Sequence, residues 1–99
     1  MNSVSLAGEV TEVAALRYTP AGIPLQSFTV KHVSQRSEAG MQRQVECEVP
    51  AVAMAKVAEQ ARNLKCGSHV RVEGFLAKRS LNSRQLVLHI NILEIIEKG

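Results

Sequence analysis

The stretch His69–Ile92 constrains this chain more than any other. Val70, Val72, Gly74 and Leu76 alternate with Arg71, Glu73 and Phe75. After a basic segment, Leu86, Leu88, Ile90 and Ile92 alternate with Val87, His89 and Asn91. A period of two marks a strand with one buried face, and two such runs in succession predict a hairpin. The segment between them carries Lys78, Arg79 and Arg84 and no acid. A rigid ribbon with cations at its tip suits a polyanion better than a small substrate. The rest of the chain reads as the body that carries this hairpin.

Near the N-terminus, Val4, Leu6, Gly8 and Val10 alternate with Ser3, Ser5, Ala7 and Glu9, a first strand that continues toward Leu16. Gly8 inside it predicts a bend or bulge. Thr19-Pro20-Ala21-Gly22 predicts a turn, with proline preset for the second position and glycine favoured at the fourth. Gln26–Val33 is the second strand, with Phe28, Val30 and His32 on one face and Thr29, Lys31 and Val33 on the other. Ser34–Gly40 is polar and ends in glycine, so a flexible loop is expected. Met41–Val49 is the third strand, with Val45, Cys47 and Val49 inward. Pro50 cannot donate to a ladder and is expected to close that strand. Ala51–Leu64 changes period: Ala53, Val57, Ala61 and Leu64 recur at helical spacing, and Gly67 supplies the break. Leu93, Ile95 and Ile96 extend the last strand.

Three strands, a short helix and two strands is the layout of the OB-fold, a five-stranded, partly open Greek-key barrel. The expected fold class is all-β with one short helix between strands 3 and 4, in a single domain over residues 1–99. The helix would plug one end of the barrel. The outer face of strands 2 and 3, with the loops after strands 1 and 4, would be the binding surface.

Composition narrows the function. A formal charge of +3 permits a nucleic-acid partner without demanding one. No apolar run approaches the ~20 residues of a membrane helix. The N-terminus alternates at once instead of opening on a basic, then apolar leader. A cytoplasmic protein with no membrane partner is therefore expected, and Cys47 and Cys66 fit reduced thiols. All nine acids are glutamates. No nucleophile elbow, phosphate-binding loop or paired carboxylates stand at a credible site, so no catalytic residue and no enzyme activity are expected. Cys66-x-x-His69 supplies two of the four ligands that structural zinc needs, while strand parity scatters Cys47, His32 and His89. Neither metal nor other cofactor is expected. Cys47 reads as a small core residue, and His32 and His89 as polar strand residues with local hydrogen bonds.

Lys78, Arg79 and Arg84 are the first candidates for phosphate contacts, because each neutralised phosphate releases counterions and makes binding salt-dependent. The bland alternative is a solvated hairpin tip. Arg17, Lys31, Arg36 and Arg43 follow. Lys31 has outward parity, whereas Arg43 shares parity with Val45 and needs a bulge or a strand end to turn outward. Tryptophan is absent, so base stacking falls to one tyrosine and two phenylalanines. Phe28 belongs by parity with the core. Tyr18 either stacks on a base or packs on its own strand, and Phe75 either faces the groove or fills a gap beside the helix. Met41 is an adaptable apolar contact for a base or a plain strand-end residue.

Three segments carry a resemblance. They are Tyr18-Thr19-Pro20-Ala21-Gly22-Ile23-Pro24 with Phe28 and His32 following, Glu38-Ala39-Gly40-Met41-Gln42-Arg43-Gln44, and Val72-Glu73-Gly74-Phe75 with Val87-Leu88-His89. In this order and spacing the chain, from Val4 to Ile96, resembles the primosomal replication protein N (PriB) family, bacterial relatives of the single-stranded-DNA-binding proteins. The resemblance implies an OB-fold homodimer that binds single-stranded DNA, has no catalytic activity and needs no metal. It further implies a role in replication restart, steadying the PriA helicase on DNA and handing the assembly to other primosome proteins, a DnaT-like loader factor among them. An open edge on the first strand makes Val4, Leu6 and Val10 the expected dimer contact.

The sequence departs from the enterobacterial pattern of that family in two places. Met41 and Glu46 stand where the pattern has aromatic residues, and the loop between strands 4 and 5 is shorter. A lost stacking platform removes about 1–3 kcal/mol per base, and Glu46 would repel phosphate. These departures favour a second expectation, a protein-interaction module that docks on the helicase with only incidental DNA binding.

Overall fold

The computed structural model describes residues 1–96. The elements are β1 (Val4–Val13), β2 (Arg17–Tyr18), β3 (Pro24–Glu38), β4 (Met41–Met54), α1 (Lys56–Ala61), β5 (His69–Lys78) and β6 (Leu86–Ile96). β2 is a two-residue strand held against Pro24 and Leu25. The five long strands close a barrel in the order β1–β5–β6–β4–β3, with β3 pairing back onto β1. This is the expected OB-fold, with its one helix between the third and fourth long strands. Every junction is antiparallel except β4–β6, a parallel seam of three pairs: Ala51–Leu88, Val52–His89 and Ala53–Ile90.

Alternation fills the interior. Val10, Phe28, Val30, Val70, Val72, Leu88 and Ile90 are buried together, and Ala58, Ala61 and Leu64 close one end of the barrel from the helix and its exit. Burying a Val, Leu or Phe side chain stabilises a fold by about 1.5–3 kcal/mol. One polar side chain joins them: Gln26 is buried, and its amide donates to the carbonyls of Ala14 and Ser27, tying the exit of β1 to β3. The turn at Thr19–Gly22 forms as expected, closed by Gly22 N donating to Thr19 O at 2.8 Å.

Gly8 marks a close approach and not a bulge. A Cβ there would overlap the Lys31 carbonyl, at the point where β1 and β3 begin to pair through Glu9 and Lys31. The bulge lies further on, between Val10 and Glu12. On the other side of Gly8 the strands part. There His32 Nδ1 sits 2.7 Å from the Ala7 carbonyl and Nε2 sits 2.9 Å from Ser34 Oγ. The imidazole supplies the polar partner that the departing backbone of β3 no longer offers, and the local hydrogen bonds expected of His32 are present.

Five expectations need correction. Ser34–Gly40 is not a loop: β3 continues to Glu38 in unbroken register with β4, and Ala39 and Gly40 alone make the turn, both with positive φ (52° and 77°). Residues 32–38 and 41–47 pair only with each other, forming an arm that leaves the barrel. An arm wetted on both faces needs no apolar alternation, so its sequence looks like a loop. Cys47, on this arm opposite His32, is exposed and not a core residue.

Nor does Pro50 end its strand. It stands opposite Thr29, one residue before β4 gains β6 as a second neighbour, so its missing N–H interrupts no second ladder. The helix consequently begins at Lys56, not Ala51. Ala51, Val52 and Ala53 are buried between β3 and β6, where small residues fit the seam, and Ala55 turns the chain with φ 57°. Finally, Ile92 faces outward at 55% exposure. Gly74 pairs with Ile90 and Glu73 with Ile92, so Asn91 is an extra residue and parity switches beyond it.

Candidate nucleic-acid interface

Register builds the outer face of the barrel one strand at a time. Ser27 of β3 lies beside Val52 of β4, Val52 beside His89 of β6, and His89 beside Phe75 of β5. These four side chains form a row across the sheet, opposite in parity to Phe28, Leu88 and Gly74. One cleft of about 510 Å³ opens over this row, floored by Leu25, Ser27, Val52, Met54 and His89. Arg17, from the β1–β3 connection, and Arg79, from the end of β5, border it. A second cleft of about 210 Å³ adjoins the first, sharing Val52, Met54 and His89 and adding Phe75 and Asn91. The two make one groove with an apolar floor and two arginines at one end.

The hairpin tip that carries Arg79 is ordered by its own polar groups. Arg79 N donates to Gln85 O at 2.9 Å, Ser83 N to Ser80 O at 3.1 Å, and Gln85 N to Ser83 Oγ at 3.0 Å. The Arg79 guanidinium reaches Gln85 Oε1 at 3.4 Å, a long bond that leaves donors for a ligand. Lys78 and Arg84 flank it, both exposed, but neither borders the groove. Tyr18 follows Arg17 and is 65% exposed, so it does not pack on its own strand. Phe75 is 38% exposed and lines the smaller cleft together with Val57 of α1, so it borders the groove beside the helix.

Electrostatics divide the face. Toward the arm, Lys31 keeps its outward parity, but its Nζ lies 3.2 Å from Glu46 Oε1 and its cross-strand partner is Glu48. Beyond the groove, this stretch of the barrel face has no spare positive charge, and Lys31 lines a separate cleft with Glu9, Val33 and His69. Arg36, Met41 and Arg43 stand farther out. Unbroken register puts them on the face of Val45, opposite Lys31, and Arg43 bonds Glu38 at 2.7 Å. Arg17, Arg79 and Phe75 are therefore gathered into one groove, whereas Arg36, Met41 and Arg43 form a separate group on the arm.

The floor residues Leu25, Ser27, Val52 and Met54 are not singled out by the sequence, and His89 is read there only as a polar strand residue. The available signal was the hairpin itself, since pairing Lys78 with Leu86 places His89 opposite Phe75. His89 was expected to hydrogen-bond locally; instead its ring lies parallel to that of Phe75. Of the expected dimer contacts, Val10 is fully buried in the protomer's own core, while Val4 and Leu6 are half-buried. On the side away from β5, β1 pairs with β3 only from Glu9 onward, so Val4–Gly8 keep an open edge.

Comparison with known proteins places the fold among single-strand binding proteins. A family model described as "another single-strand binding protein family" matches residues 2–92. A replication restart protein PriB from Nitrosomonas europaea is 43% identical over 96% of this chain and 88% of its own length. One from Neisseria meningitidis serogroup B is 41% identical over 94% and 92%. The solved structure of PriB from Ralstonia solanacearum superposes with a TM-score of 0.86 at 33% identity, covering 98% of this chain and 99% of that one. A deletion mutant of the Thermus aquaticus single-stranded DNA binding protein gives a TM-score of 0.80 at 21% identity, over 98% of this chain and 51% of that one, a likeness of fold.

Proposed function

The chain belongs to the replication restart PriB family of single-strand binding proteins, and we propose that it binds single-stranded DNA in the groove between Arg17 and Arg79 while holding the PriA helicase on that DNA. The observation that carries this reading is the continuous groove itself: an apolar floor one strand-row wide, with guanidinium groups on both sides of one end. Such a surface suits a flexible polyanion whose bases lie on the floor and whose phosphates meet the rim. Lys78 and Arg84 add long-range attraction beside Arg79. The protein acts by binding and positioning, without chemistry of its own. A homodimer formed along the open edge of β1, through Val4–Leu6, would set two such grooves on one particle.

Fluorescence anisotropy of labelled oligo-dT across a salt series tests the reading. Each phosphate contact contributes a slope of about 0.7 in log affinity against log salt. Replacing Arg17 and Arg79 by alanine should weaken binding and flatten that slope. Affinity that ignores salt, or that survives both substitutions, would remove the proposed mode.

A second reading is supported by the Lys31–Glu46 pair and the adjacent Glu48. A barrel face neutralised toward the arm repels phosphate there and leaves that stretch suited to a protein. On this reading the barrel docks chiefly on PriA or a primosome loader factor. Titration of the protein against PriA, with and without DNA, separates the two: tight association alongside negligible DNA affinity favours docking.

A further inference from the structure

His89 and Phe75 are cross-strand partners whose rings lie parallel, 5.0 Å between centroids and 6° between planes. Phe75 thus covers one face of the imidazole. Phe75 borders only the smaller cleft, whereas His89 borders both, and register sets His89 between Phe75 and Val52, on the side of the cleft that holds Arg17 and Arg79. The ring is not committed elsewhere. His32 uses both of its nitrogens on protein partners, while among the described residues those of His89 meet none.

We propose that the open face of His89 is a stacking platform for one unpaired nucleobase, with Phe75 as the positioning residue that holds the imidazole upright. This rests on the DNA-binding reading and adds to it the residue that touches a base. Every base offers a π face, so the contact is tolerant of sequence, and the arginines across the same cleft meet the flanking phosphates. The platform stands on β6 and β5, outside the β4 positions where Met41 and Glu46 replace aromatic residues. It gives this chain a base contact that its arm lacks.

The experiment pairs anisotropy with the fluorescence of 2-aminopurine placed in a thymidine oligonucleotide, since stacking quenches that base. The wild type should quench it on binding. His89→Ala should weaken binding about five- to 150-fold, the range for one lost stack, with the salt slope unchanged and the quenching lost. His89→Phe should keep both. Phe75→Leu should reduce quenching with a smaller loss of affinity. Thermal unfolding checks each variant, and His89→Leu, which keeps the bulk at the seam, replaces the alanine variant if that does not fold. A wild type that binds no oligonucleotide removes the DNA-binding reading itself. A wild type that binds with the expected salt slope, beside a His89→Ala or His89→Leu variant of equal affinity and equal quenching, overturns the platform and leaves that reading standing.

Discussion

Lys31 Nζ and Glu46 Oε1 lie 3.2 Å apart on the groove face, with side chains 39% and 53% exposed. A pair this open contributes at most about 1 kcal/mol to stability. Its larger effect is on a strand that leaves the groove along β3, because the carboxylate occupies the one cation on that face of β3. Glu46→Gln should leave Tm nearly unchanged, strengthen binding of oligo-dT and steepen its salt dependence by about 0.7, the value of one added phosphate contact. Anisotropy at several salt concentrations checks this. Unchanged affinity would mean that the strand does not pass Lys31.

Gly74 lies where β5 and β6 bulge, and an added Cβ would overlap the backbone carbonyl of His89. A backbone obstacle cannot swing away as a side chain can. Gly74→Ala should destabilise by about 1–3 kcal/mol or more. Gly22→Ala meets open space and pays only for its φ of 81°, about 1–2 kcal/mol. Urea unfolding of the two variants should place Gly74→Ala well below Gly22→Ala.

Leu88 is fully buried at the centre of the seam. Leu88→Ala should cost about 2–5 kcal/mol through lost burial and the cavity left behind. For a domain of this size that is a fall in Tm of about 10 °C or more, read by circular dichroism.

Ala39 holds φ 52° in the two-residue turn of the arm. Turns with positive φ at both central residues favour Asn-Gly. Ala39→Asn should therefore stabilise the arm, raising stability by a few tenths to about 1 kcal/mol and slowing amide exchange along 32–47. Faster exchange there would contradict the turn geometry.

The barrel was legible in the sequence because it is two-layered at each strand: apolar in, polar out. His69–Leu76 and Leu86–Ile90 could be assigned from parity alone, as could Phe28 and Val30. Legibility failed where burial stops recording structure. Ser34–Glu38 forms ladder hydrogen bonds that leave no mark on hydropathy. Ala51–Ala53 is buried on both sides, and such a run lacks the alternation that distinguishes strand from helix. The groove suffered likewise. Arg79 and Phe75 were found from charge and parity, but Val52, Met54 and Ser27 are ordinary residues until the parallel seam sets them beside His89. That seam joins residues 37 apart, beyond the reach of any local pattern.

The three-pair seam has a mechanical consequence. It is the shortest junction of the barrel, and parallel pairing is slightly weaker per residue. Val52 and His89 sit on its two sides and both floor the same cleft. Anything lying in that cleft splints the joint beneath it. Occupancy and barrel closure thus share free energy, so a bound strand should slow amide exchange at Val52 and Ile90 more than at the rigid β5–β6 ladder.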